Sequence, residues 1–184
     1  YYKASEVTDK YKELQQKEAA NIQLLGNAIY EVYGNSIPPD GTFTLRITDG
    51  IVKGFEYNGT IAPPITTFYG MYDRHYSFNA TDPWKLPDRW LNPSKEFDLS
   101  TPVNFVSTCD TYGGNSGSPA LNKNLEIVGL NFDRNIDGMS REFIYTAEKG
   151  RNVMVHSEGI LEALQDIYKA HRLVKELKSG KVQE

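Results

Sequence analysis

Gly113-Gly114-Asn115-Ser116-Gly117-Ser118-Pro119 is the stretch on which the reading of this chain turns. Glycines on both sides of a serine, with a proline closing the run, force the backbone through tight, partly left-handed turns and leave the hydroxyl on an exposed ridge. Such turns aim consecutive N–H groups at one spot, so those of Gly114 and Ser116 would receive an oxyanion beside the Ser116 oxygen. The alternative is a plain Gly/Ser/Asn-rich loop between strands. The residues that follow decide between the two. Ala120-Leu121-Asn122, a Lys123-Asn124 turn and Leu125-Glu126-Ile127-Val128-Gly129-Leu130-Asn131-Phe132 form a hairpin of short, β-prone strands.

This succession resembles the surroundings of the nucleophile in chymotrypsin-like serine peptidases. The run from Gly113 through Asn135 is similar to that of the bacterial dipeptidyl peptidases 7 and 11, serine exopeptidases that release dipeptides from free N-termini. The resemblance implies Ser116 as the nucleophile, the N–H groups of Gly114 and Ser116 as the oxyanion hole, and the second hairpin strand as a wall of the pocket for the residue before the scissile bond.

The same resemblance implies that Arg134 lies in the pocket for the second substrate residue, where arginine in place of glycine marks a preference for Asp or Glu. The physics agrees, because a guanidinium presents a fork of donors that matches a carboxylate and keeps its charge. Asp133 resembles the residue that holds the substrate's N-terminal ammonium. Arg134 as a surface arginine, and Asp133 in a salt bridge with Arg134 or Arg141, are the structural alternatives.

The chain of 184 residues carries a net charge of −4, spread along its length, and is 39% hydrophobic and 12% aromatic. That is enough for one sizeable core. The charge implies neither nucleic acid nor an anionic membrane as a partner. No run of about 18 apolar residues appears, and no signal peptide is expected. The start at Tyr1 suggests a piece of something longer. One cysteine, Cys109, excludes an internal disulfide. No His, Cys or carboxylate cluster has metal-ligand spacing, and no cofactor is expected.

Tyr2 to about Tyr33 reads as an amphipathic helix whose apolar stripe is Ile22, Leu25, Ile29 and Val32. A breaker cluster, Gly34 to Gly41, ends it. Phe43 to Thr48 and Ile51 to Tyr57 read as strands joined by an Asp49-Gly50 hairpin turn. Asn58-Gly59 turns again, and Ile65 to Met71 reads as a third strand. A short helix is expected near Trp84 to Leu91, then a strand at Val103 to Thr108. Beyond the hairpin come a loop at Ile136 to Ser140, strands at Arg141 to Tyr145 and Asn152 to Val155, and a helix from Ser157 to about Ser179. Asn58-Gly59-Thr60 and Asn79-Ala80-Thr81 fit the glycosylation pattern but read as ordinary turns in a bacterial protein.

These elements predict a mainly β fold: a six-stranded, chymotrypsin-like Greek-key barrel, the second barrel of a double-barrel peptidase, with an N-terminal helix from a helical domain and a C-terminal helix. Residues 1–36 would be the end of an inserted helical domain and 37–184 the barrel with its helix.

A serine hydroxyl needs an imidazole to take its proton and a carboxylate to orient that imidazole. His171, on the polar side of the last helix, and His156, between strand and helix, read as solvated or structural. His75 precedes Ser116 in the order that the chymotrypsin-like triad requires, but the segment around it belongs to the second barrel. The chain therefore reads as half an active site, with the triad His and Asp on an upstream first barrel, and the isolated chain is expected to be inactive. Asn115 stands where many chymotrypsin-like enzymes have the aspartate that receives a newly cleaved N-terminus, so that activation route is closed. Cys109, seven residues before Ser116, reads as a small buried residue on the entering strand.

The expected partners are peptides with a free N-terminus and the upstream first barrel and helical domain; a homodimer of the full-length protein stays open. The resemblance implies a periplasmic, cell-surface or secreted bacterial protein. A trypsin-like endopeptidase fragment and a non-catalytic peptidase-like binding module are the rival readings.

Overall fold

A computed structural model describes residues 2–34, 45–142 and 145–182. The chain forms two compact units, Tyr1–Pro39 and Asp40–Glu184. The first is a single helix, α1 (Tyr2–Tyr33), with the bounds that the sequence predicts. Good helix formers and the absence of proline explain its length, and Glu6–Lys10 and Glu13–Lys17 pairs at 3.1 and 2.6 Å span one turn each. Ile22 and Val32 of its apolar stripe are 62% and 74% exposed. The expected breaker from Asn35 to Gly41 lies outside the described residues, as do Phe43 and Thr44.

The second unit runs β1 (Phe55–Tyr57), β2 (Thr60–Ala62), β3 (Ile65–Thr67), α2 (Phe68–Ser77), α3 (Asp88–Leu91), β4 (Pro102–Ser107), β5 (Pro119–Leu121) and β6 (Ile127–Arg134). A 3-10 segment (Ile136–Glu142), β7 (Asn152–His156), α4 (Ser157–Glu162), a π turn (Ala163–Ile167) and α5 (His171–Ser179) complete it. Five strands form one antiparallel sheet in the order β3-β4-β7-β6-β5, and β1 and β2 form a separate hairpin. Asn58 and Gly59, with φ of 48° and 75°, make the turn of that hairpin.

The expected mainly β closed barrel is corrected by this structure. Among the described residues helix outweighs strand, 42% against 20%, and no sheet closes into a barrel. Two local misreadings contribute to it. Ile65 to Met71 is rich in β-branched and aromatic residues, yet only Ile65–Thr67 is strand. From Phe68 the buried side chains recur as Phe68, Tyr72 and His75, a helical spacing that lays one face of α2 on the core. Propensity pointed to strand, and packing against the core overrode it.

The second misreading is the Asp49-Gly50 hairpin. Leu45 and Ile47 are 93% and 91% exposed and belong to no strand. The chain instead runs along β4: Lys53 N–H donates to the Val106 carbonyl at 3.2 Å and Thr108 N–H to the Ile51 carbonyl at 3.0 Å. Gly50 is there for close approach, since a Cβ on it would lie 2.5 Å from the Cys109 nitrogen. The expected strand at Arg141 to Tyr145 is also absent at its start, because Arg141 lies in the 3-10 segment; Phe143 and Ile144 fall outside the described residues. The C-terminal helix is interrupted by Lys169 at φ 54° and ends, as expected, at Gly180 in the left-handed region.

The apolar core joins Phe68 and Tyr72 of α2 to Leu86, Phe97 and Ile167, with Trp90, Leu99 and Val103 against it. The Tyr72 hydroxyl donates to the Trp90 carbonyl. Two polar links tie the long 84–101 segment to the C-terminal helices: Ser94 O–H to Asp166 at 2.7 Å, and Asp98 N–H to Glu162 at 2.7 Å. This packing backs the sheet whose other elements carry the candidate site.

Candidate active site

β4 delivers the chain to the Ser116 loop, and β5–β6 carries it away. Between them the backbone is held by its own hydrogen bonds. Asn115 N–H donates to the Tyr112 carbonyl at 3.1 Å, and the Asn115 side-chain oxygen accepts Tyr112 N–H at 2.8 Å, closing a turn around the two glycines. Gly114 and Gly117 take φ of 96° and 86°, a region that side chains with a Cβ rarely enter. Ser118 N–H returns to the Asn115 carbonyl at 3.1 Å, and Gly117 N–H to the Asn131 carbonyl of β6 at 2.7 Å.

Ser116 is left exposed at the crest of this loop. Among the described residues the N–H groups of Gly114 and Ser116 have no hydrogen-bond acceptor, while those of Asn115, Gly117 and Ser118 do. The loop thus presents a hydroxyl with unspent backbone donors on its own residue and two positions before it. Unspent donors of this kind can meet developing negative charge without reorganising.

Arg134 ends β6, half-buried and opposite Asn152; Asp133 is exposed and opposite Val153. The register slips between Asn131 and Asp133, so Phe132 is the extra residue of a β-bulge that re-aims the end of the strand. The Asp133 carboxylate accepts Arg134 N–H at 2.8 Å, and among the described residues it makes no ion pair. Neither alternative, a salt bridge to Arg134 or to Arg141, forms among the described residues.

Arg141 is fully buried and spends its guanidinium on the carbonyls of Cys109, Thr146 and Gly150 at 2.6, 3.1 and 2.6 Å. Burial pushes it below its ordinary value, opposed by Tyr145 and Asp110. Arg151, also fully buried, bonds the carbonyls of Lys53 and Gly54 at 2.9 Å each, and that of Ala147 at 2.9 Å. These two side chains take the place of a hydrophobic plug, pinning the 146–150 segment to the start of the nucleophile loop. Asp110 sits in the same region, and burial raises its carboxyl above the usual carboxylate range against the pull of Arg141 and Arg46.

None of the three histidines is hydrogen-bonded to Ser116. His75 is buried, and its Nδ1 accepts the Leu86 N–H at 3.0 Å. His156 caps α4, its Nδ1 accepting Glu158 N–H at 3.2 Å, and His171 is exposed at the start of α5. Cys109 is half-buried and free, two residues past the end of β4 rather than on the strand. Among the described residues no group of three His, Cys, Asp or Glu side chains could hold a metal ion. No described helix is long and apolar enough to cross a membrane.

Sequence reasoning passed over the polar residues beneath the loop. Ser107, Asn131 and Asn152 are 3%, 6% and 0% exposed. Their signal was available: each falls at an inward position of an alternating strand, where an apolar side chain is the rule, and a polar one there requires partners.

Comparison with known proteins supplies the class. Residues 1–179 match the family model described as Peptidase S46. The chain is 34% identical over 183 residues to an Asp/Glu-specific dipeptidyl-peptidase of Flavobacterium psychrophilum, covering 94% of this chain and 25% of that protein. It is 36% identical over 151 residues to the Asp/Glu-specific dipeptidyl-peptidase of Capnocytophaga gingivalis, covering 76% and 21%. Among solved structures, Porphyromonas endodontalis DPP11 in complex with the dipeptide Arg-Glu superposes with a TM-score of 0.67 at 26% identity, over 83% of this chain and 23% of that one.

The Peptidase S46 match covers nearly the whole chain and settles its family. The chain belongs to peptidase family S46. It spans about a quarter of the length of the relatives it matches.

Proposed function

We propose that this chain is the nucleophile-bearing part of a bacterial dipeptidyl peptidase that releases N-terminal dipeptides with Asp or Glu as the second residue. The observation that carries the reading is Ser116, exposed between two left-handed glycines with the N–H groups of Gly114 and Ser116 unspent. Relatives named as Asp/Glu-specific, and Arg134 near the end of β6, support the acidic preference.

The chemistry follows from the loop. Ser116 Oγ attacks the scissile carbonyl carbon, its proton passing to an imidazole, and the carbonyl oxygen becomes an oxyanion received by the two N–H groups. The imidazolium then protonates the departing amine as the C–N bond breaks. Water hydrolyses the acyl-serine by the same route in reverse. Arg134 binds the side chain of the second substrate residue, and Asp133 the N-terminal ammonium, which limits the product to a dipeptide.

The imidazole and its carboxylate come from a first barrel elsewhere in the full-length protein, since His75 and His156 already accept backbone N–H groups. Residues 1–36 are the end of an inserted helical domain, and 37–184 a second catalytic unit. The isolated chain is inactive for want of a base. Peptides are its substrates, and the protein works in the periplasm, at the cell surface or outside the cell.

The test is hydrolysis of dipeptidyl-coumarin substrates by the full-length protein, with Asp, Glu, Leu or Lys next to the scissile bond and the N-terminus free or acetylated. Cleavage of free, acidic substrates that disappears in Ser116→Ala supports the reading. Cleavage of acetylated peptides would make it an endopeptidase, and no cleavage at all a binding module.

A further inference from the structure

A buried polar chain crosses three strands directly beneath the Ser116 loop. Ser107, at the end of β4, gives its N–H and its O–H to Asn152 Oδ1 on β7 at 3.2 and 2.6 Å. Asn152 Nδ2 donates to Asn131 Oδ1 on β6 at 3.1 Å. Asn131 Nδ2 in turn donates to the carbonyl of Asn115 at 3.3 Å. The direction of this chain is fixed at its origin. A backbone N–H can only donate, so the atom of Asn152 facing Ser107 is its oxygen, and every amide beyond it must point its nitrogen toward the loop.

The far end of the chain is what matters chemically. The Asn115 carbonyl and the Ser116 N–H belong to one planar peptide unit, in which C=O and N–H point in opposite directions. Holding the carbonyl down toward β6 therefore holds the Ser116 N–H outward. That N–H is one of the two donors assigned to the oxyanion. Asn131 also grips the loop on the other side of Ser116, its carbonyl accepting Gly117 N–H at 2.7 Å and its N–H donating to the Ser118 carbonyl at 2.9 Å.

Apolar side chains at the three inward positions would fill the same volume without the desolvation cost of buried amides. They could not orient a carbonyl. We propose that Asn131 and Asn152 are positioning residues for the oxyanion hole, setting the Asn115–Ser116 peptide through the polar chain anchored on Ser107. This rests on the reading of Ser116 as the nucleophile.

An isosteric change separates orientation from packing. In Asn152→Asp the oxygen facing Ser107 is kept, but the second oxygen can only accept. Asn131 must then turn its amide over, which sets its oxygen against the Asn115 carbonyl and pushes that peptide away. Asn131→Ala deletes the last link without adding charge, and carries the same expectation if Asn152→Asp fails to fold.

The experiment measures both variants in the full-length enzyme, beside Ser116→Ala, for kcat, KM and two affinities. One ligand is a dipeptidyl boronic acid, whose tetrahedral serine adduct places an oxygen in the hole, and the other the product-type dipeptide Arg-Glu. The expected result is a fall in kcat of about 10²-fold with KM within about threefold, a parallel loss of boronate affinity, and a much smaller loss of dipeptide binding, whose planar carboxylate leans less on the hole. Wild-type kcat and boronate affinity would overturn the proposal, as would equal losses for both ligands. Full hydrolysis by Ser116→Ala would instead remove the nucleophile reading on which it rests.

Discussion

Asp133 accepts the backbone N–H of its neighbour Arg134 at 2.8 Å, and the carboxylate makes no ion pair among the described residues. An acid and a base adjacent in sequence would ordinarily be suspected of neutralising each other. Here the main chain joins them, and the bulge at Phe132 sets their directions. Two opposite charges at one strand end suit a substrate that carries an ammonium on its first residue and a carboxylate side chain on its second.

Arg134→Gly removes the fork that matches an acidic side chain. Its kcat/KM for substrates with Asp or Glu at the second position should fall by about 10–100-fold, the range of a lost charge-assisted hydrogen bond. Activity toward apolar residues at that position should rise in relative terms. Profiling wild type and variant on the same substrate panel checks this, and an unchanged acidic preference would take Arg134 out of the pocket.

Asp133→Asn keeps the size of the side chain and its cap on Arg134 N–H but withdraws the charge offered to the ammonium. KM should rise about tenfold with a smaller effect on kcat, because the contact is made in the ground state as well as the transition state. A change confined to kcat would argue for a different role.

The Ser116 loop was legible in the sequence, for a physical reason. The glycines at 114 and 117 stand where the backbone has positive φ, which few other residues tolerate, so the turn is written in the residue types themselves. The hairpin after Pro119 and the helix from Tyr2 to Tyr33 were legible for similar local reasons. The barrel was not. Phe68 to Ser77 carries strand-like residues at helix-like spacing, and only its burial against Leu86 and Phe97 selects the helix. Asn131 and Asn152 could not be understood one at a time, since each is satisfied by a partner on another strand.

Asp110 gives the protein a pH-dependent cost. Its carboxyl is raised by burial, so the charged form is less favourable in the folded than in the unfolded state. The sign follows: the group favours folding below its unfolded value, and that contribution is lost as pH rises through the folded one. Asp110→Asn should therefore raise the melting temperature at pH 7, by about 1–4 °C, with the difference shrinking toward zero as pH falls to about 4. Calorimetric scans across this range check it, and a variant destabilised at pH 7 would mean that the attraction of Arg141 and Arg46 outweighs desolvation.

Arg151 is fully buried and bonded to main-chain carbonyls. Arg151→Met keeps the stem and removes the donors, leaving those carbonyls without the partner that holds them together. It should destabilise the protein by about 3 kcal/mol or more and speed amide exchange across 146–150. Hydrogen-exchange mass spectrometry resolves whether the loss is local to that segment.

The central claim is that Ser116 is a nucleophile completed by groups outside this chain. Fluorophosphonate treatment of the full-length protein, followed by peptide mass spectrometry, tests it most directly. A single adduct on Ser116, absent when the protein is first saturated with the boronic acid, is the predicted result. An adduct on another serine, or none in a protein that still cleaves dipeptidyl substrates, would contradict it.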